Sequence, residues 1–202
     1  MYRHQAFRVH DDARAYDLLA QVGLVHLVVD DGGTLRSSPL PVLADRATGT
    51  LVFHVARANP ISQVAPGSSA LVLATGPHAY VSPRDYPNDY GTKVVPTWDY
   101  LSVEFAGQVE VVTDPEELLA LVSSLTDHHE QSMASPWSVG EADPGHLTAL
   151  LGAITGIVVD VAMIDLTVKL SQNRPDAVRH HIATSLEQRG EAAVAEHMAA
   201  WR

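Results

Sequence analysis

The hydrophobic and polar positions change period several times along the chain, and each change predicts an element. Residues 11–22 (DDARAYDLLAQV) read as an amphipathic helix, capped by Asp11 or Asp12 and followed by Gly23. The period then shortens. LVHLVVD (24–30) is strand-like and runs into DDGG, a hairpin signal. TLRSSPLPVLA (34–44) is extended, with Pro39 and Pro41 directing it to an edge or a bulge. TLVFHVA (50–56) predicts a strand, Asn59-Pro60 a helix start, and SALVLAT (69–75) a buried strand. Residues 76–96 read as a long loop around a short strand, and residues 96–113 as a long strand bent near Gly107. A strong helix follows over 114–132. Asp114 or Thr113 caps it, Pro115 opens it, and Glu116 and Glu117 meet the positive end of its dipole. A short helix is expected at about 144–152, a long strand over 155–173, a helix over 174–190 ending at Gly190, and a helical tail to Arg202.

Strands that follow one another through hairpin turns, with few helices between them, argue for an α+β chain built on an antiparallel barrel. There is no βαβ alternation, no GxGxxG and no P-loop, which speaks against a Rossmann or nucleoside-triphosphatase fold. With 202 residues, a single domain over 1–202 is expected, with a helical C-terminal segment from about 174.

Composition narrows the class. Hydrophobic residues are 46% and charged residues 18%, so the chain is neither disordered nor fibrous. Without cysteine there is no disulfide framework, thiolate metal site or cysteine nucleophile. The opening MYRHQAFRVHDD does not read as a signal peptide, and no apolar run reaches the length of a membrane span. A cytoplasmic location and no membrane partner are expected. Thirteen bases against 24 acids give a net charge of −11, unevenly spread. From Val94 to Val168 there are twelve acids and no Lys or Arg. Such a stretch repels a phosphate backbone and makes direct DNA binding doubtful.

Three segments could carry chemistry. In His54-Val55-Ala56-Arg57-Ala58-Asn59-Pro60 a strand ends, a guanidinium appears and a helix is expected to open, a combination suited to a phosphate. The alternative is a surface ion pair. Lys169-Leu170-Ser171-Gln172-Asn173-Arg174 gathers two cations, a hydroxyl and two amides, suited to a polar chain, a phosphate or a ring edge. The alternative is an Asn/Ser turn that caps a helix. Around Val95-Pro96-Thr97-Trp98-Asp99-Tyr100, the rings of Trp98, Tyr80 and Tyr100 are placed to wall a planar ligand or to fill a core. The pairs His128-His129 and His180-His181 lie on predicted helices, where adjacent residues diverge, so no metal site is expected. There is no HExxH and no GxSxG, and no catalytic residue is assignable.

Taken together, GPHAYVSP, VPTW-D-Y and KLSQNR, with HVARANP upstream, resemble the PaiB-type proteins, a family of FMN-binding negative transcriptional regulators. Tyr2, Phe7 and the stretch LTDHHEQSMASPW follow the same pattern, so the resemblance runs from about residue 2 to 190. It implies a split β-barrel related to the pyridoxamine phosphate oxidase group, a homodimer, and FMN in clefts at the subunit interface. It makes Arg57 and Asn59, with the flanking His54 and Ala58, the first candidates for the FMN phosphate. Lys169, Ser171, Gln172 and Asn173 come second, from the same or the partner subunit, while Thr97 and Trp98 flank the flavin. The chain departs from the family pattern at His4, Arg84-Asp85, Asp99, Glu104 and Thr167. A lost cation and two added carboxylates favour a weaker FMN site or a different ligand. Three roles follow: a flavin-binding homodimer with a redox or sensor function, a transcriptional repressor acting directly or through a partner, and a binder of haem or another planar ligand.

Overall fold

The computed structural model describes residues 5–201, apart from the side chains at 91 and 92. Tyr2 and His4, both singled out from the sequence, lie outside the described residues. The strands are β1 (Arg8–Val9), β2 (Leu24–Asp31), β3 (Thr34–Pro41), β4 (Leu43–Asp45), β5 (Thr50–Ala56), β6 (Ser69–Val81), β7 (Thr97–Val112) and β8 (Ile154–Lys169). The helices are α1 (Asp12–Val22), α2 (Pro115–Glu130), α3 (Pro144–Leu151), α4 (Asp176–Gln188) and α5 (Ala192–Ala200). The sheet order is β3-β2-β6-β7-β8-β5-β4, with β1 on β8. The registers described for β1–β8, β2–β3, β2–β6, β4–β5 and β5–β8 are all antiparallel.

The chain divides into two compact units. The first comprises Met1–Leu18, Thr75–Val103 and Asp165–Arg202, and the second Leu19–Ala74 and Glu104–Ile164. The second holds β2 to β5 and α2. Val25, Leu27 and Val29 of β2, and Leu51, Phe53 and Val55 of β5, are all nearly inaccessible. This period of two is what buries one face of each strand. Helix α2 buries Leu118, Leu121 and Leu125 at helical spacing. Asp114 caps it by accepting from the N–H groups of Glu116 and Glu117, at 2.9 and 3.1 Å. Of the two caps read from the sequence, Asp114 is the one used.

In the first unit, Asp85 ties α4 to the 3-10 turn Pro83–Asp85. It accepts from Ser82 N–H (2.7 Å) and Ser185 Oγ (2.6 Å), and it pairs with Arg189 (3.3 Å). Arg189 also donates to the Tyr80 carbonyl at 2.6 Å. Gly190, at φ 88°, takes the left-handed turn between α4 and α5.

Two sequence expectations change. The strand predicted over 69–75 runs on to Val81, and the supposed loop of 76–96 begins only there. Gly76-Pro77 reads as a breaker, yet Ala79 and Val81 are buried with Tyr80 pointing the other way, as in any strand. A Cβ at Gly76 would lie 2.5 Å from Leu18 Cδ1, so a larger residue there would need the leucine side chain to shift. Pro77 lies beyond Ala70–Leu73, the part of β6 in register with β2, so its missing N–H costs no bond on that side. The helix expected at Asn59-Pro60 is only a 3-10 turn, Pro60–Gln63. Pro66 biases the chain before it away from helical dihedrals, and Gly67 turns at φ 84°.

Candidate functional site

The sequence candidates fall into two groups, one in each unit. In the second unit, β5 ends at Ala56 opposite Ile154, and Arg57 follows, exposed. Its main-chain N–H donates to the Ala153 carbonyl (2.8 Å) and its Nε to the Ile154 carbonyl (3.2 Å). The first bond fixes the backbone and the second holds the guanidinium at the strand end, and among the described residues no carboxylate pairs with it. Ala58 is an exposed turn residue. Asn59 is engaged within the corner itself: its Oδ1 accepts from Ile61 N–H (3.0 Å) and its Nδ2 donates to Ser38 Oγ (2.8 Å). Ser62 Oγ donates to the Arg57 carbonyl at 2.8 Å. The turn after Asn59 has too few residues to carry a helix dipole, so the guanidinium is the corner's attraction for an anion. His54 is half-buried on β5, and its Nδ1 is sealed from solvent with no partner among the described residues. Burial lowers its pKa below the usual 6.5, favouring the neutral imidazole.

The other group is in the first unit, where β7 begins and β8 ends. Lys169 Nζ donates to Thr97 Oγ1 (2.6 Å) and to the Trp98 carbonyl, and it pairs with Asp99 at 3.4 Å. Asp99 is fully buried, and its second oxygen accepts from Ser171 Oγ at 2.6 Å. Desolvation raises its carboxyl above the ordinary value, against the opposing pull of Ser171 and Lys169. Ser171 has φ 54°, a left-handed conformation uncommon for serine. Its hydroxyl is held by Asp99, and its carbonyl accepts from Arg174 N–H at 2.9 Å. Gln172 closes the turn: Oε1 accepts from Leu170 N–H (2.7 Å) and Nε2 donates to the Val168 carbonyl. Lys169, Ser171 and Gln172 are therefore bound internally, whereas Asn173 is exposed.

Beside them lies a hollow of about 190 Å³ lined by Phe7, Tyr86, Thr97, Lys169, Asn173 and Arg174, among others. Arg174 sits over the Tyr86 ring at 5.7 Å. Phe7 reaches this place because β1 pairs with β8, Arg8 opposite Thr167. Tyr86 and Arg174 were not among the first choices from the sequence. Only the two cations within KLSQNR hinted at Arg174. Trp98 is 52% exposed and meets Tyr80 (6.1 Å between centroids) and His78 (5.9 Å). His78, rather than Tyr100, completes that aromatic group. Of the departures from the family pattern, Asp99 lines the hollow, Thr167 is buried in β8, and Glu104 belongs to the other unit. Among the described residues no cluster of metal-ligating side chains forms, and no helix is long and apolar enough to cross a membrane.

Comparison with known proteins places these features in a family. The chain is 25% identical over 190 residues to protease synthase and sporulation protein PAI 2 of Bacillus subtilis, covering 93% of this chain and 89% of that protein. It is 27% identical over 192 residues to an uncharacterised protein of Emericella nidulans, covering 77% and 76%. Among solved structures, the FAD and heme binding protein from Mycobacterium smegmatis superposes with a TM-score of 0.59 at 18% identity, covering 88% of this chain and 79% of that one. The flavocytochrome Anf3 from Azotobacter vinelandii gives 0.61 at 13% identity, covering 84% and 72%. These likenesses identify the fold as an α+β antiparallel split β-barrel with peripheral helices. The family model described as "Putative FMN-binding domain" matches residues 1–163, and the chain belongs to that family, the PaiB type its motifs resemble.

Proposed function

We propose that the protein is a flavin-binding homodimer that anchors the FMN phosphate on Arg57 and serves a redox or sensor role. The observation that carries this reading is the Arg57 guanidinium, held at the end of β5 by the Ile154 carbonyl and without a carboxylate partner among the described residues. A guanidinium prepared in this way suits a phosphate dianion, since its remaining N–H groups form charge-assisted bonds at little ordering cost. Asn59 and Ser62 act by holding the corner closed. Lys169 fits a phosphate less well, because Thr97, Trp98 and Asp99 already engage its ammonium group. Ser171 and Gln172 are likewise engaged by their neighbours, while Trp98 and Asn173 are exposed within the same unit. When bound, the flavin supplies one- and two-electron chemistry, while the chain supplies position and electrostatics.

Family membership supports FMN over other ligands, and the structural relative named for binding FAD and heme supports a flavin more broadly. The exposed Val95, Trp98 and Tyr80 (75%, 52% and 41%) support a homodimer, since such side chains favour an interface. Sedimentation should then report a particle of two 21.7 kDa chains. The relative named for protease synthesis and sporulation supports a regulatory role, and the net charge of −11 favours one exercised through a protein partner over direct DNA binding.

The test is FMN titration of wild type and two variants. Arg57→Glu should weaken binding by about 100-fold or more, and Arg57→Lys, which keeps the charge and loses the fork, by about tenfold. Unchanged affinity in Arg57→Glu would remove the phosphate assignment.

A further inference from the structure

The second unit holds a hollow that the Arg57 phosphate assignment does not require, although His54, read from the sequence as flanking that phosphate, lines it. It measures about 390 Å³ and lies among the end of β5, α2, the turn at Val139–Glu141 and α3. Its walls include His54, Val122, Thr126, Trp137, Leu147 and Leu151. No Lys, Arg, Asp or Glu lines it. The polar side-chain groups of the lining are the His54 imidazole, the Thr126 hydroxyl and the Trp137 indole N–H. The Trp137 loop is pinned, since its main-chain N–H donates to Glu130 Oε2 at 2.9 Å. Helix α3 is apolar in composition, yet none of its residues is fully buried, and Leu150 is 52% exposed. A helix whose leucines border an open hollow has apolar surface left to cover.

We propose that this hollow binds a neutral aromatic molecule of two fused rings with one hydroxyl or ring N–H group, seated against the leucines of α3 and hydrogen-bonded to His54. The chemistry of the walls sets the class. Apolar sides with one or two polar groups select an apolar body with a single polar handle. A charged group would lose its hydration there without a partner. Size agrees, since an apolar cavity of about 150 Å³ accommodates benzene and this one is more than twice that. Burial keeps His54 neutral, which suits it to an uncharged hydroxyl. The site requires nothing from Arg57, so it goes beyond the flavin reading and stands or falls separately.

The experiment titrates 2-naphthol into the full-length protein, with and without saturating FMN, following naphthol fluorescence and tryptophan emission. Saturable binding of one molecule per chain, unaffected by FMN, is expected. Ala142 and Thr126 both line the hollow, so Ala142→Phe and Thr126→Phe each place a ring in it and should weaken binding at least tenfold while leaving FMN affinity unchanged. Retained FMN affinity and a native circular dichroism spectrum identify which filled variant is folded, and one folded variant suffices. His54→Leu should weaken 2-naphthol but not naphthalene. Arg57→Glu should lose FMN and keep 2-naphthol, so failure of one reading leaves the other intact. The proposal is overturned by absence of saturable binding, by equal binding in a folded filled variant, or by displacement with FMN. A Soret shift on haemin titration that depends on His54 would also overturn it, by giving the hollow a different occupant.

Discussion

Two donors meet the buried Asp99 carboxyl, Lys169 on one oxygen and Ser171 on the other. Desolvation still outweighs both and raises its folded pKa above 3.8. The sign follows. Between 3.8 and the raised value the folded state holds the proton that the unfolded state has released, so this group's contribution to stability falls as pH rises through that window. In urea denaturation, Asp99→Asn should therefore gain on wild type as pH rises from 3.8. At neutral pH, Asp99→Ala should cost about 2–3 kcal/mol, because it leaves the Ser171 hydroxyl and the Lys169 ammonium short of an acceptor, with Asp99→Asn milder. His54 has the opposite dependence: its lowered pKa gives stability present above 6.5 and lost as pH falls below it. The sequence marked Lys169 and Ser171 as ligand candidates and Asp99 as a departure from the family pattern. It did not reveal that they satisfy one another, since residues 70 and more apart meet only through strand register. Asn59 shows the same limit. Its residue type suits a phosphate or a cap, and only the bonds to Ile61 and Ser38 distinguish the two.

Between elements, the tightest approach is at Gly107 of β7. A Cβ there would lie 1.9 Å from the Asp160 carbonyl oxygen of β8, a contact with backbone that no rotamer relieves. Gly107→Ala should destabilise the protein by about 3 kcal/mol or more, read as a lowered urea midpoint with an unchanged slope. The sequence marks that glycine as a bend, and the crowding behind it is tertiary. Elements with their own start and stop chemistry were the most legible. Helix α2 declares its cap, its proline and its acidic first turn within a few residues, and it lies where they predict. Strand β6 was cut short in the reading because Gly76-Pro77 speaks of a turn locally. There the glycine lies against the Leu18 side chain, a contact that only the fold creates.

For the molecule as a whole, the antiparallel split barrel was legible because many weak signals agreed: alternating strands, hairpin turns and ordered motifs. The charge pattern carries its own expectation. With −11 overall and no Lys or Arg between Val94 and Val168, duplex DNA should show no mobility shift at low salt. The two hollows were not legible, since each is built from segments far apart in the chain. Their units are assembled differently as well. The second unit is complete at Ile164, whereas the first takes its opening residues from Met1–Leu18 and its closing ones from Asp165–Arg202. During synthesis the second can therefore fold while the ribosome is still at work. The first has to wait for the chain's last segment, so nascent protein spends an interval with its opening helix and the far half of β6 unpartnered and within reach of chaperones.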